Sequence, residues 1–298
     1  MSVWVAYLLV ILVWSTSPLA IAWSSESLGA MTALSLRLMI SVVLIVGLRP
    51  IVRCQPFAVT RNWRAYLSGS MGLFPAMALV YWAADYLPSS LISVLFGLAP
   101  FVVVLLNLVM SRVSLVSKGQ IGGMVLAFVG LLVVMLPREG FQSVSVWGVI
   151  LLLSAVLFYA LSTILVKRYT QDVDVTNQLL GTVVFASPFF LIAWMLEVGG
   201  VSGMQAIFDD VDARAVYATL YLAVMGSVVG FFSYFYLLKR ISAAAVSLIT
   251  MITPAMALVL GVWLNAEVFS AYIYFGITCI MLGLWLFRYS EGATVAEA

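Results

Sequence analysis

The sequence predicts an all-α membrane protein with ten transmembrane helices, arranged as two inverted five-helix halves. Three observations carry this reading: the composition, ten apolar runs of spanning length, and an internal repeat. Of the 298 residues, 64% are hydrophobic and only 9% charged, and the mean hydropathy is +1.17. A soluble domain carries roughly 25% charged residues. Most of this chain must therefore face lipid or lie inside a helical bundle.

The runs follow in order. They are Val3–Trp23, Ala30–Leu48, Tyr66–Ala84, Ser89–Met110 and Gly119–Leu136, then Val146–Val166, Gln178–Leu196, Val216–Leu238, Ala243–Leu264 and Ala271–Phe287. A spanning helix needs about 20 largely apolar residues. Membrane strands would alternate polar and apolar residues over about 10 positions, and these segments do not. The first run ends at Ala20-Ile21-Ala22, which resembles a signal-peptidase site. No Lys or Arg precedes it, and the run is long enough to span, so a retained first helix is expected.

Loop charges give the orientation. Eleven Lys and Arg residues fall on one side: Arg49, Arg53, Arg61, Arg64, Arg112, Lys118, Lys167, Arg168, Lys239, Arg240 and Arg288. The other side holds only Arg138 and Arg214, and Arg37 lies inside the second span. The positive-inside rule then places both termini in the cytoplasm of a cell whose inner membrane holds the protein. The acids lean the other way, with Glu26, Asp85, Glu139, Glu197, Asp209, Asp210, Asp212 and Glu267 facing out.

The two halves match. Pro100 of the fourth span falls on Pro254 of the ninth, with Ser93 on Ser247. Gly123 and Gly130 of the fifth fall on Gly276 and Gly283 of the tenth. Five spans per half force the second half to run upside down. Inverted repeats are a signature of secondary transporters, whose sites lie near the midplane between repeats. The expected units are 1–138 and 139–298.

Together these residues resemble the EamA-type transporters of the drug/metabolite transporter superfamily. The resemblance rests on Leu12-Val13-Trp14-Ser15-Thr16, Arg37-Leu38, the stretch from Leu87 to Pro100, Phe158-Tyr159-Ala160, and Ile241 to Pro254 continuing to Asn265-Ala266-Glu267. It covers nearly the whole chain with diffuse motifs. It implies two EamA repeats and export of amino acids or related metabolites.

Polar groups inside a span are costly and face the bundle interior or a cavity. The candidate substrate-binding residues are accordingly Trp14, Ser15, Ser17, Arg37, Phe74, Tyr81, Ser93, Phe96, Pro100, Tyr159, Ser162, Tyr234, Ser247, Thr250 and Pro254. A proline in a helix frees the carbonyl four residues back, so Pro100 and Pro254 are expected to kink their spans around a central path. Arg37 has two readings. It holds a substrate carboxylate, or it snorkels or pairs with Asp85 or Glu267 at the outer rim. The glycine patterns at 122/123–130, 276–283 and 226–230 read as helix-packing surfaces.

Several classes are excluded or disfavoured. There is no His, and Cys54 and Cys279 are the only cysteines, so no metal site, disulfide framework or cofactor is expected. A net charge of +2 without a dense basic patch argues against nucleic acid. No P-loop is present. A membrane-embedded enzyme would need clustered acid, base or nucleophile groups that the spans lack. The partners expected are a small-molecule substrate and the bilayer. The leading reading is an exporter working by alternating access. The alternatives are an exchanger of phosphorylated metabolites or nucleotide sugars, for which Arg37 alone is a thin phosphate site, or a channel. With no His and no deep carboxylate, transport without a proton relay is expected, Asp85 being the one group that could couple.

Overall fold

A computed structural model describes residues 1–50, 56–111, 117–135, 144–170, 172–198, 211–241, 246, 249–264 and 271–296. All regular structure among the described residues is helical. We label the helices α1 (Val3–Leu28), α2 (Ala30–Leu48), α3 (Val59–Ser70), α4 (Ala76–Ala84), α5 (Ser89–Phe96), α6 (Ala99–Ser111) and α7 (Lys118–Met135). Then follow α8 (Val146–Tyr169), α9 (Val175–Val198), α10 (Ala213–Tyr221), α11 (Phe231–Arg240), α12 (Ile249–Leu264) and α13 (Ala271–Ala296). A π-helical stretch, Leu222–Gly230, joins α10 to α11 into one continuous rod.

The thirteen helices among the described residues make up ten spans because three spans are composite. The third span is α3 plus α4 rather than one helix. It starts earlier than its apolar run and breaks over residues 71–75, where Pro75 removes a backbone donor. The fourth is α5 plus α6, broken at Gly97-Leu98 just before Pro100, the kink expected there. Pro100 has no N–H to give to the Phe96 carbonyl. The eighth is α10, the π stretch and α11. Helices α1, α2, α8, α9 and the rod Ala213–Arg240 are each long and apolar enough to cross a membrane unaided.

The connection between α1 and α2 is a single residue. Gly29 stands at φ 77°, a conformation that costs other L-residues energy. It reverses the chain, after which α1 packs chiefly on α10 and α12 and α2 on α9 and the π stretch.

Helices α7 and α13 form a separate antiparallel pair at the edge of the bundle. A Cβ added at Gly123 would lie 2.6 Å from the Gly283 carbonyl oxygen, and one at Gly130 would lie 2.6 Å from that of Gly276. The glycines therefore let the two backbones touch, as small residues do between membrane helices. This contact also expresses the repeat. The two-fold that carries Gly123 onto Gly276 carries Gly283 onto Gly130, and both pairs are in contact.

The remaining spans pack into a core. Helix α3 lies on α9 and α8, α4 on α8, α5 on α12 and α1, and α2 on α9 and the π stretch. The α3–α9 contact is tight: a Cβ at Gly181 would lie 2.1 Å from the Tyr66 ring, and one at Gly69 2.1 Å from Thr182 Oγ1.

Candidate functional site

A cavity of about 80 Å³ lies inside this core. Trp14, Ser17, Pro18 and Ile21 of α1 line one wall, with Arg37 of α2 and Met77 and Val80 of α4. Ile92, Ser93, Phe96 and Gly97 come from the broken fourth span, Tyr159 from α8, Gly226 and Phe231 from the eighth span, and Thr253 from α12. Neither α7 nor α13 contributes a described residue.

Arg37 is the one charged liner of the cavity among the described residues and is 2% exposed. Its Nε donates to Ser227 Oγ at 2.8 Å, and its Nη1 donates to Tyr81 Oη at 3.4 Å. The π stretch makes this possible. Ser227 and Gly226 sit within it, and a Cβ at Gly226 would lie 3.0 Å from Arg37 Nη2. Glycine leaves room for the guanidinium there. Ser41 Oγ donates to the Arg37 and Ala223 carbonyls at 2.6 and 3.2 Å, tying α2 to the π stretch one turn further on. Such π segments often mark functional sites.

The only ion pairs among the described residues join Arg214 to Glu26 and Asp212. Arg37 therefore has no described carboxylate partner. The expected pairing with Asp85 does not form, and Glu267 lies outside the described residues. A buried charge held only by neutral hydroxyls is an unusual expense in a membrane interior.

An aromatic wall stands across the cavity. Trp14 packs edge-on to Tyr159 at 6.1 Å and tilts over Tyr234 at 5.2 Å, and Phe96 lies 5.0 Å from Tyr159. Tyr234 stands behind this wall and shares a 3.0 Å hydrogen bond with Thr163.

The structure brings Trp14, Ser17, Arg37, Ser93, Phe96 and Tyr159 to the cavity surface, with Tyr81 and Tyr234 directly behind. Other candidates lie elsewhere. Ser15 is fully buried and donates to the Ile11 carbonyl at 2.7 Å, a local bond that lets a hydroxyl survive in an apolar helix contact. Ser162 donates to the Ser68 carbonyl at 2.7 Å and so ties α8 to α3. Phe74 stacks on Phe189 at 5.5 Å and faces a lateral groove. Pro100 is buried at the start of α6 without lining the cavity. Ser247 lies outside the described residues, as do the side chains of Thr250 and Pro254. Gly226 was legible only as a packing glycine, because nothing in an apolar run signals a π stretch.

Asp85 follows α4 at the rim. Partial burial away from water, and then the like charge of Glu197, hold its carboxyl above the ordinary aspartate range. No group of three or more His, Cys, Asp or Glu able to hold a metal occurs among the described residues.

The helical rods, the paired spans and the central cavity define a multi-pass membrane transporter. The profile of the EamA-like transporter family matches residues 1–136 and 146–289, and the chain belongs to that family. It is 25% identical to the protein PagO of Salmonella typhimurium over 96% of this chain and 92% of that one. It is 24% identical to a probable amino-acid metabolite efflux pump of Escherichia coli over 72% of each chain. One solved crystal structure superposes with a TM-score of 0.64 at 18% identity, covering 95% of this chain and 94% of that one. That likeness speaks to the fold alone.

Proposed function

We propose that this transporter exports amino acids or related small carboxylated metabolites across the inner membrane by alternating access, with the central cavity as its substrate site. The observation that carries the proposal is Arg37, buried on the cavity wall with no described carboxylate beside it. A substrate carboxylate would supply the missing charge and accept a charge-assisted pair of hydrogen bonds. Tyr81 and Ser227 act as positioning residues for the guanidinium. Trp14, Phe96 and Tyr159 offer an apolar face to the rest of the molecule, with Ser17, Ser93 and Thr253 as its hydroxyl contacts.

Alternating access accounts for the cavity's size. Small-molecule sites usually run to about 300–1,000 Å³, and this one is about 80 Å³. The conformation is a contracted one, and substrate must part the walls. The repeats 1–138 and 139–298 both line the cavity and stay joined at the edge through α7 and α13, so the walls that move are the spans around the cavity; both termini lie in the cytoplasm, as the loop charges favour. No step requires bond chemistry, and no described carboxylate lines the cavity to relay a proton, so a uniporter is the working reading. The relative named as an amino-acid metabolite efflux pump supports the substrate class. The test compares metabolites in the medium of overexpressing and deleted cells. Accumulation of amino acids or their acidic derivatives is expected. Enrichment of phosphorylated metabolites alone would transfer the assignment to the exchanger class.

A further inference from the structure

A second recess lies on the outside of the bundle, away from the central cavity. It is a groove of about 470 Å³ lined by Phe74, Trp82, Phe189, Ile192, Ala193, Leu196 and Glu197. The broken third span creates it. Helix α3 packs on α9, whereas α4 leans onto α8, so α9 and α4 part above the break. Helix α2 closes the back, where Trp194 Nε1 donates to Thr32 Oγ1 at 3.0 Å. The flanks are exposed, with Phe189, Ile192 and Leu196 at 47%, 58% and 80% exposure, so the groove opens sideways into the lipid.

One end of this apolar groove is charged. Glu197 Oε1 accepts the Met31 N–H at 3.1 Å, and Oε2 accepts Trp82 Nε1 at 3.2 Å. A carboxylate has about four acceptor positions, so these two bonds fix its place and leave acceptor capacity. Glu197 forms no ion pair among the described residues. Asp85 stands near enough for the two charges to repel. The groove thus combines a recess of acyl-chain character with uncompensated negative charge at the level of the lipid head groups.

We infer that this groove is a binding site for a phospholipid whose head group carries a primary ammonium, such as phosphatidylethanolamine, with one acyl chain along Phe74, Phe189 and Ile192 and the ammonium on Glu197. The ammonium supplies the positive charge that Glu197 lacks and N–H donors for the acceptor positions that Met31 and Trp82 leave open. It also explains how two neighbouring carboxylates are tolerated at one rim. Bound lipid would hold α9 and α4 apart at a fixed spacing.

The test is native mass spectrometry of the full-length protein released from mixed micelles. The micelles contain equal amounts of phosphatidylethanolamine, phosphatidylcholine and phosphatidylglycerol with identical chains. Retained phosphatidylethanolamine should exceed phosphatidylglycerol by about fivefold or more, the scale of one charge-assisted contact at a half-solvated rim. Phosphatidylcholine, which has no N–H donor, should rank between them. Glu197→Gln should bring the ratio close to one, and Ala193→Trp, which fills the groove, should lower retention of all three lipids. Equal retention of the three lipids by the unaltered protein would overturn the proposal without needing either variant. So would an unchanged preference in Glu197→Gln, or full retention in Ala193→Trp.

Discussion

The α7–α13 pair and the helices around the central cavity are built on opposite rules. In the pair, glycine faces glycine and the backbones touch, so nothing can slide or widen without breaking contacts. Around the cavity the spans are broken at residues 71–75 and at Gly97-Leu98 and widened, without a break, over the π stretch, and hydroxyls and one guanidinium line the gap. Both regions use glycine, but differently. Gly283 excludes a side chain because a backbone stands opposite, whereas Gly226 makes room for the anchored guanidinium of Arg37. The edge pair is suited to act as a rigid brace, and the core as the part that changes shape.

The contrast can be broken first at the brace. A Cβ at Gly283 would lie 2.5 Å from the Gly123 carbonyl oxygen, and neither backbone can yield alone. Gly283→Leu should destabilise the protein by about 3 kcal/mol or more, read as a large drop in the detergent melting temperature. Gly226→Ala, whose added atom meets the side chains of Arg37 and Leu222 rather than backbone, should cost less than about 1 kcal/mol in stability while disturbing transport. Equal losses in the two variants would erase the distinction.

A smaller effect is expected at Ser227. Ser227→Ala removes the 2.8 Å acceptor of Arg37 Nε. Hydrogen bonds inside membrane bundles average about 0.6 kcal/mol and reach about 1.7, so the melting shift should be slight. The guanidinium loses its anchor, however, and the substrate concentration for half-maximal transport should rise about threefold on that energy scale. A purely structural serine would change melting alone.

The smallest effect belongs to the rim. The Asp85 carboxyl titrates above its ordinary value of 3.8 in the folded protein. The folded state therefore binds this proton more tightly than the unfolded state. Stability is greatest below pH 3.8 for this group and declines as pH rises through its raised pKa. Asp85→Asn should flatten that acid-side dependence, as followed by melting temperature against pH. On the proposed uniport route, which does not pass through Asp85, the rate in proteoliposomes should stay near wild type in the same variant. Loss of pH-gradient-driven accumulation in Asp85→Asn would show that this carboxylate couples transport to protons.

These differences mark what the sequence can and cannot express. The spans were legible because twenty apolar residues in a row have no other economical structure. The Gly123/Gly130 and Gly276/Gly283 spacing was legible because it repeats. Arg37 stood out as the only charge deep in a span. Which face a hydroxyl takes was not legible. Ser15 and Ser17 each bond their own helix carbonyl, at 2.7 and 2.6 Å, yet only Ser17 reaches the cavity. A helix apolar all round gives no phase to tell them apart. The break over 71–75 was hidden for a related reason, since hydropathy continues through it, and so Phe74 was expected in the centre when it lies in the lateral groove.

The central claim is that Arg37 holds a substrate carboxylate in the middle of the bundle. The most direct measurement is efflux from proteoliposomes of a carboxylated substrate found in the medium comparison, alongside its uncharged amide analogue, for the unaltered protein, Arg37→Lys and Arg37→Gln. Arg37→Gln should melt within a few degrees of the unaltered protein. Its carboxylate transport should fall at least about tenfold, equal to about 1.4 kcal/mol of lost interaction. Arg37→Lys should recover part of that loss, since it keeps the charge but not the bidentate fork, and the amide should be moved poorly by all three. Carboxylate efflux at the unaltered rate in a folded Arg37→Gln protein would contradict the claim and leave Arg37 a structural group.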